Sequence, residues 1–145
     1  MPVQSDSRAT DSAAIIAALL EAYPDVQAIY LFGSHGTEGE WPDSDIDIAI
    51  LLPPQEAKTL GALELVKTQN TLSSLLRKPV DLLNLRRVST VFQKEVVMAD
   101  RRIYTADEYA AEEFEMLTLS YYQKLNEERA GVLAEGLRSG SFYNV

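Results

Sequence analysis

Two aspartates separated by one residue, Asp45 and Asp47, are the side chains best suited to chemistry in this sequence. They open an apolar segment, 45–52, that is typical of a buried strand. Side chains two positions apart on a strand lie on one face, with their Cα atoms about 7 Å apart. Carboxylates at this spacing can bind one or two divalent cations, and Mg²⁺ prefers oxygen ligands. The pattern therefore predicts a metal site, although aspartates at the solvated start of a strand are the common alternative.

A calcium-binding loop is the competing explanation for these acids, because Asp43, Asp45 and Asp47 alternate as its first ligands do. That loop requires Gly at its sixth position and a bidentate Glu at its twelfth. This chain has Ile48 and Pro54 at those positions. The sequence therefore excludes a calcium-binding loop of this kind.

The pair Gly33-Ser34 is a second candidate feature, since it directly follows the apolar segment 26–32. Glycine lets a phosphate approach the backbone closely, and the N–H groups of such a turn can donate to phosphate oxygens. A strand-ending Gly followed by a Ser helix cap is the ordinary alternative. Neither G-x-x-x-x-G-K-[ST] nor G-x-G-x-x-G occurs in the chain, so any phosphate site here is of another kind.

Strands and helices alternate in the predicted order of elements, which is typical of an α/β or α+β domain. Apolar, β-branched runs bounded by Gly or Pro predict strands over 26–32, 45–52, 79–85 and 102–104. Helical spacing predicts a first helix capped by Asp11 or Ser12, followed by helices over 56–76, 88–98 and 107–136. Residues 1–10 are polar and aperiodic, so we expect a flexible arm before a single domain over 11–145.

Apolar stripes indicate which faces of the helices are covered. The first helix has Ile15, Ile16, Leu19 and Leu20 on one face, and the helix over 56–76 has Leu60, Leu63, Val66, Leu72, Leu75 and Leu76. The last helix has Ala110, Phe114, Leu117, Tyr121, Leu125 and Val132, with Tyr122 beside them. Such a stripe most often packs on a sheet, and a surface that binds a partner protein is the alternative.

Composition limits the class of protein. The 145 residues include no Cys and one His, which excludes thiol chemistry and multi-histidine metal sites. A formal net charge of −9 disfavours sequence-independent binding of nucleic acid, since such a surface repels the phosphate backbone. No apolar segment is long enough to span a membrane, so we expect a cytoplasmic protein with no direct nucleic-acid or membrane partner.

The spacing from Gly33-Ser34 to Asp45 and Asp47 reads G-S-x(10)-D-x-D, which is the signature of nucleotidyltransferases. With its flanking segments IYLFGS and SDIDIAILL, the chain resembles the minimal nucleotidyltransferases of the DNA polymerase β superfamily. Within that group it resembles the antitoxins that are encoded beside HEPN-domain ribonuclease toxins. The resemblance implies a nucleotidyltransferase fold, with helices packed on a small mixed β-sheet and a long C-terminal helix.

The same resemblance implies the site and the substrates. Asp81, in KPVDLLNL, occupies the place of a third acid on a neighbouring strand, and three acids from two strands can fix a metal. Asp45, Asp47 and Asp81 would then be the catalytic residues and bind two Mg²⁺ ions. The nucleotide would be bound by Gly33, Ser34, Asp45 and Asp47. ATP is the implied donor of AMP, and a tyrosine of a HEPN-domain toxin is the implied acceptor.

One residue departs from the family pattern. Related sequences often place Arg directly after Gly-Ser, whereas this chain has His35, whose role the sequence leaves open. Arg77 and Lys78 could bring positive charge to the third strand, although a solvated helix end explains them equally well.

Two other functions compete with protein adenylylation. A non-catalytic antitoxin could mask the toxin by binding alone, and an aminoglycoside-type enzyme could transfer the nucleotide to a small molecule. The complete set of acids favours an enzyme, and the small size disfavours the antibiotic-modifying enzyme, whose acceptor pocket usually needs an added domain.

Overall fold

Four strands and five helices form the described part of the chain. The computed structural model describes residues 7–33 and 45–139. The helices are α1 Ser7–Ala22, α2 Pro54–Thr59, α3 Ala62–Leu76, α4 Thr90–Met98 and α5 Glu108–Ser139. The strands are β1 Ala28–Phe32, β2 Ile46–Leu51, β3 Val80–Asn84 and β4 Arg102–Thr105, and a 3-10 turn, Leu85–Arg87, follows β3.

The strands form one mixed sheet in the order β3-β2-β1-β4. The two central strands, β1 and β2, are antiparallel to each other, β3 is parallel to β2, and β4 is antiparallel to β1. The predicted small mixed sheet, the helices packed on it and the long C-terminal helix are therefore confirmed.

Helices cover both faces of the sheet, because the side chains of each strand alternate between two cores. Ile46, Ile48 and Ile50 lie in the core beneath α1, α2 and α3. Ala49 and Leu51 lie in the core beneath α4 and α5. This alternation places the side chain of Asp47 on the face covered by α4 and α5.

Helix α1 confirms its predicted apolar face but not its predicted beginning. Ile15 and Leu19 are fully buried, and Ile16 and Leu20 pack against the same core. The helix begins at Ser7, so the last four residues of the expected arm, 7–10, are helical. Apolar periodicity marks only the packed part of a helix, and no Gly or Pro interrupts the turn before it.

The predicted helix over 56–76 is two helices, and its predicted stripe is confirmed only in part. α2 ends at Thr59, and Leu60 adopts an extended conformation before α3 begins. Leu72 is buried, and Leu60 and Leu76 pack against the same core. The other members of the stripe, Leu63, Val66 and Leu75, are exposed. The helix expected over 88–98 likewise starts later, at Thr90, after the 3-10 turn.

Helix α5 begins as predicted, but its buried face shares only Phe114 with the predicted stripe. The Asp107 carboxylate accepts a hydrogen bond from the Ala110 N–H at 3.0 Å, which caps the helix. Ala111, Phe114 and Thr118 are buried, whereas Leu117, Tyr121 and Val132 of the predicted stripe are exposed. Within the described residues, no helix is both long enough and apolar enough to cross a membrane.

Candidate active site

The register of the sheet places two of the predicted acids side by side. Asp47 on β2 is the direct partner of Asp81 on β3, and its partner on the other side is Phe32 of β1. Both aspartates face α4 and α5, since Val80 and Leu82 on either side of Asp81 lie in the opposite core. Asp45 is exposed and directly precedes β2.

Gly33 directly follows β1 and lies against Asp47. Its φ of +75° is a conformation that L-residues rarely adopt. A Cβ atom at this position would overlap the Oδ2 atom of Asp47. Glycine is therefore required twice, by the backbone conformation and by the close approach of the carboxylate. Ser34 and His35 lie outside the described residues.

Asp81 lies on the edge strand β3, and α3 fixes the backbone on either side of it. The Val80 N–H donates to Ser73 Oγ at 3.0 Å, and the Leu82 N–H donates to Gln69 Oε1 at 2.9 Å. Polar side chains of α3 thus accept hydrogen bonds from backbone N–H groups that an edge strand otherwise leaves unpaired. These side-chain contacts add to the pairing of β3 with β2, which places the exposed Asp81 opposite Asp47.

The electrostatics of Asp47 reflect a crowded group of acids. The pKa of Asp47 is raised from 3.8 to about 6, first by burial and then, in decreasing order, by the charge of Asp81, a hydrogen bond with Asp81 and the charge of Asp45. Phe32 contributes to the burial, and its ring packs edge-to-face on Phe92 at 5.7 Å. An acid in this setting is harder to ionise than one in solvent, and a nearby cation would favour its ionised form.

Arg101 is a nearby cation that sequence reasoning missed. Its Nη1 atom donates to the Gly33 carbonyl at 2.9 Å, and its charge lowers the pKa of Asp47 against the other contributions. The contact joins residues 68 positions apart, so it depends on the pairing of β1 with β4. The signal in the sequence was the pair Arg101-Arg102 at the start of a predicted strand in an acidic chain. The two cations that the sequence did suggest, Arg77 and Lys78, lie between α3 and β3.

The donor set suits a hard cation, although the three acids do not meet at one point. Carboxylate oxygens are the ligands that Mg²⁺ prefers, and a cation would remove the repulsion around Asp47. Within residues 7–33 and 45–139, no three His, Cys, Asp or Glu side chains are grouped closely enough to hold a metal ion. Asp47 and Asp81 are together, and a metal site that includes Asp45 stays a prediction.

Comparison with known proteins decides the family. The sequence model of the family described as Polymerase beta, Nucleotidyltransferase matches residues 15–109, which contain Gly33, Asp45, Asp47 and Asp81. The chain belongs to this nucleotidyltransferase family. The predicted family and fold are therefore confirmed, and the acids lie within the matched nucleotidyltransferase domain.

Relatives of this nucleotidyltransferase agree with the narrower resemblance. Protein adenylyltransferase MntA of Shewanella oneidensis is 36% identical over 119 residues, which cover 82% of each chain. A crystal structure of a toxin–antitoxin with AMP-PNP is 34% identical, with a TM-score of 0.74, over 87% of this chain and 98% of the other. The MNT antitoxin in complex with the tri-AMPylated HEPN toxin of Shewanella oneidensis is 34% identical, with a TM-score of 0.71, over 88% and 97%.

Proposed function

We propose that this chain is a magnesium-dependent protein adenylyltransferase that transfers AMP from ATP to a tyrosine of a cognate HEPN-domain toxin. It is then the antitoxin of a toxin–antitoxin pair, because the attached AMP neutralises the toxin. The observation that carries the proposal is the position of Asp47, which lies beside Asp81 and against Gly33. The solved relatives with AMP-PNP and with an AMPylated HEPN toxin support the donor and the partner. A cytoplasmic location follows, since ATP and a ribonuclease toxin meet there.

The proposed reaction is an in-line displacement at the α-phosphorus of ATP. The phenolic oxygen of the acceptor tyrosine forms a bond to this phosphorus, the bond to the α,β-bridging oxygen breaks, and pyrophosphate leaves. Gly33 and Ser34 bind the β- and γ-phosphates, so the leaving group is held at the turn. Asp81 lies at the exposed edge of the sheet, where it helps the acceptor hydroxyl to lose its proton.

Asp45, Asp47 and Asp81 are the residues that would hold two Mg²⁺ ions. When bound, the metal would neutralise the negative charge of the attacking and leaving oxygens. The chain itself positions the reacting groups. Strands β2 and β3 align two of the carboxylates, and the Gly33 turn would set the distance between these carboxylates and the triphosphate. Positioning and charge compensation account for most of the acceleration in phosphate transfer.

The direct test is transfer of label from α-labelled ATP to a purified candidate HEPN toxin in the presence of Mg²⁺. We expect label on a toxin tyrosine with the wild-type chain and none with Asp45→Asn or Asp47→Asn. Asp25→Asn is the matched control, because Asp25 is exposed before β1 and outside the site. Equal labelling by the Asp45 and Asp47 variants would reject the mechanism.

The competing functions predict different outcomes of the same experiment. If the Asp47→Asn variant still neutralises the toxin in cells without any label, the chain acts by masking. If label passes to an aminoglycoside and not to the toxin, the acceptor is a small molecule. If the wild-type chain labels the toxin and the Asp47→Asn variant no longer neutralises it in cells, only the protein adenylyltransferase function is supported.

A further inference from the structure

Arg101 occupies a defined backbone position at the turn between α4 and β4. Asp100 follows the end of α4 in the left-handed region, with φ of 55°, and its N–H donates to the Val97 carbonyl at 3.1 Å. The Leu31 N–H of β1 then donates to the Arg101 carbonyl at 2.9 Å. The backbone of Arg101 is therefore fixed beside the last residues of β1, two positions before Gly33.

The side chain of Arg101 connects this turn to the acids. Its Nη1 atom donates to the Gly33 carbonyl at 2.9 Å, and Gly33 in turn lies against the Asp47 carboxylate. The guanidinium is close enough to Asp47 for its charge to act on that carboxyl group. Arg101, Gly33 and Asp47 thus form one contact group, although they come from three different parts of the chain.

A triphosphate at this turn would need positive charge from the protein. The chain has a net charge of −9, and Asp45, Asp47 and Asp81 concentrate negative charge at the proposed site. The N–H groups of a turn orient phosphate oxygens but carry no full charge. Arginine stays protonated at any physiological pH, and its planar fork of five N–H donors can bind a carbonyl and a phosphate together.

We propose that Arg101 is a nucleotide-binding residue, whose guanidinium fixes the Gly33 carbonyl and presents a permanent positive charge to the β- and γ-phosphates. The inference rests on the proposed function, since it takes the Gly33 turn as the phosphate site. It adds a residue from outside the G-S-x(10)-D-x-D motif, supplied by the turn before β4. It also assigns a role to the pairing of β4 with β1, which brings this charge to the turn.

The test compares two ligands that differ in their phosphates. Binding of AMP-PNP and of AMP, with Mg²⁺ present, is measured by calorimetry for the full chain and for Arg101→Gln, Arg101→Lys and Arg87→Gln. We expect Arg101→Gln to weaken AMP-PNP binding by about tenfold and AMP binding by less than about twofold, because a charge-assisted phosphate contact is lost. Arg101→Lys should restore AMP-PNP binding to within about threefold of wild type, since it keeps the charge.

The Arg87→Gln variant is the matched control, because Arg87 is exposed and follows the end of β3 that lies away from Asp81. It should bind both ligands as the wild-type chain does. A purely structural role for Arg101 predicts a different pattern: both ligands weaken equally, and Lys gives no rescue. That pattern, or AMP-PNP binding unchanged in Arg101→Gln, would overturn the inference.

The same measurement separates this inference from the proposed function. If the wild-type chain binds AMP-PNP and labels the toxin while Arg101→Gln does both equally well, only the role of Arg101 fails. If the wild-type chain binds no nucleotide, the proposed function fails and the inference with it. Should Arg101→Gln not fold, the Lys variant alone decides, and a folded Lys variant that weakens both ligands by about tenfold would contradict the proposal.

Discussion

Two polar clusters on one face of the sheet are built in opposite ways. In the first, Tyr30, Arg102 and Glu115 satisfy one another: the Tyr30 hydroxyl donates to Glu115 Oε2 at 2.7 Å, and Arg102 donates to the same atom at 2.9 Å. In the second, the like charges of Asp47 and Asp81 are neighbours on adjacent strands. The first cluster joins α5 to β1 and β4, whereas the second leaves an acid with a raised pKa.

The difference separates stability from function. Opposite charges that are hydrogen-bonded in a partly buried position stabilise the fold they connect. Like charges held together beside apolar side chains destabilise it, and they persist where a ligand compensates them. We therefore expect substitutions in the acid cluster to abolish transfer without loss of stability, and substitutions in the Tyr30 cluster to do the reverse.

The largest effect is expected for Asp47→Asn. Loss of this carboxylate should lower the rate of AMP transfer by about a thousandfold, because it removes a proposed metal ligand at the reacting phosphate. The same change should raise the free energy of unfolding of the ligand-free protein by about 1 kcal/mol at pH 7.5, since it removes a repelled charge that is partly exposed to solvent. Initial rates and urea denaturation measure the two quantities. An Asp47→Asn variant that keeps its transfer activity and loses stability would contradict the proposed difference between the two clusters.

Gly33→Ala should have the next largest effect, on both quantities. A methyl group there would overlap Asp47 Oδ2 and would occupy a left-handed conformation, so we expect a loss of about 2 kcal/mol in stability and about a hundredfold in transfer rate. Gly131→Ala is the matched control, because Gly131 lies within α5 with no atom within 4 Å of an added Cβ. That variant should gain about 0.5 kcal/mol. Equal effects of the two substitutions would contradict a specific role for the close approach of Gly33 to Asp47.

Glu115→Gln should lower stability while transfer stays nearly unchanged. The substitution weakens the hydrogen bonds with Tyr30 and Arg102, which costs about 1 to 2 kcal/mol for a partly buried charged acceptor. Glu128→Gln, an exposed change further along α5, should leave unfolding unaffected. Thermal and urea unfolding measure the difference. If the transfer rate falls by more than the fraction of folded protein does, the two clusters are coupled.

The smallest effect is a dependence of stability on pH. The pKa of Asp47 is about 6 in the folded chain and 3.8 as the reference value, so the folded state holds this proton more tightly. Folding therefore loses stability as pH rises from about 4 to about 7, by roughly 1 kcal/mol after allowance for solvent screening. The difference in unfolding free energy between the wild-type chain and Asp47→Asn isolates this contribution. A difference that is constant over that range, or that grows in favour of the wild type, would contradict the raised pKa.

The sequence predicted the elements whose pattern is local. Asp45 and Asp47 stand in a run of alternating isoleucines, so the strand, its buried face and the direction of Asp47 follow from period-two spacing alone. Gly33 directly follows a β-branched and aromatic run, which fixed its place after β1. The type of these elements was therefore accessible without tertiary contacts.

What the sequence left out depends on contacts between distant residues. Arg101 reaches Gly33 only because β4 pairs with β1, and Gln69 and Ser73 reach β3 only because α3 packs along that edge. The stripe of α5 was misassigned because the buried face runs through Ala111, Phe114 and Thr118, so Leu117 and Tyr121 lie outside it and are exposed. Helical periodicity identifies apolar positions on a helix but does not say which of its faces the partner surface covers.

A crystal structure of the chain with Mn²⁺ and AMP-PNP is the most direct measurement of the central claim. Anomalous scattering locates Mn²⁺ independently of the protein atoms, and the triphosphate stays intact because the crystal contains no acceptor tyrosine. We predict Mn²⁺ bound to the carboxylates of Asp47 and Asp81, with the β- and γ-phosphates against the Gly33 turn. Mn²⁺ absent from these carboxylates, or a triphosphate bound elsewhere on the chain, would contradict the assignment of this site to nucleotidyl transfer.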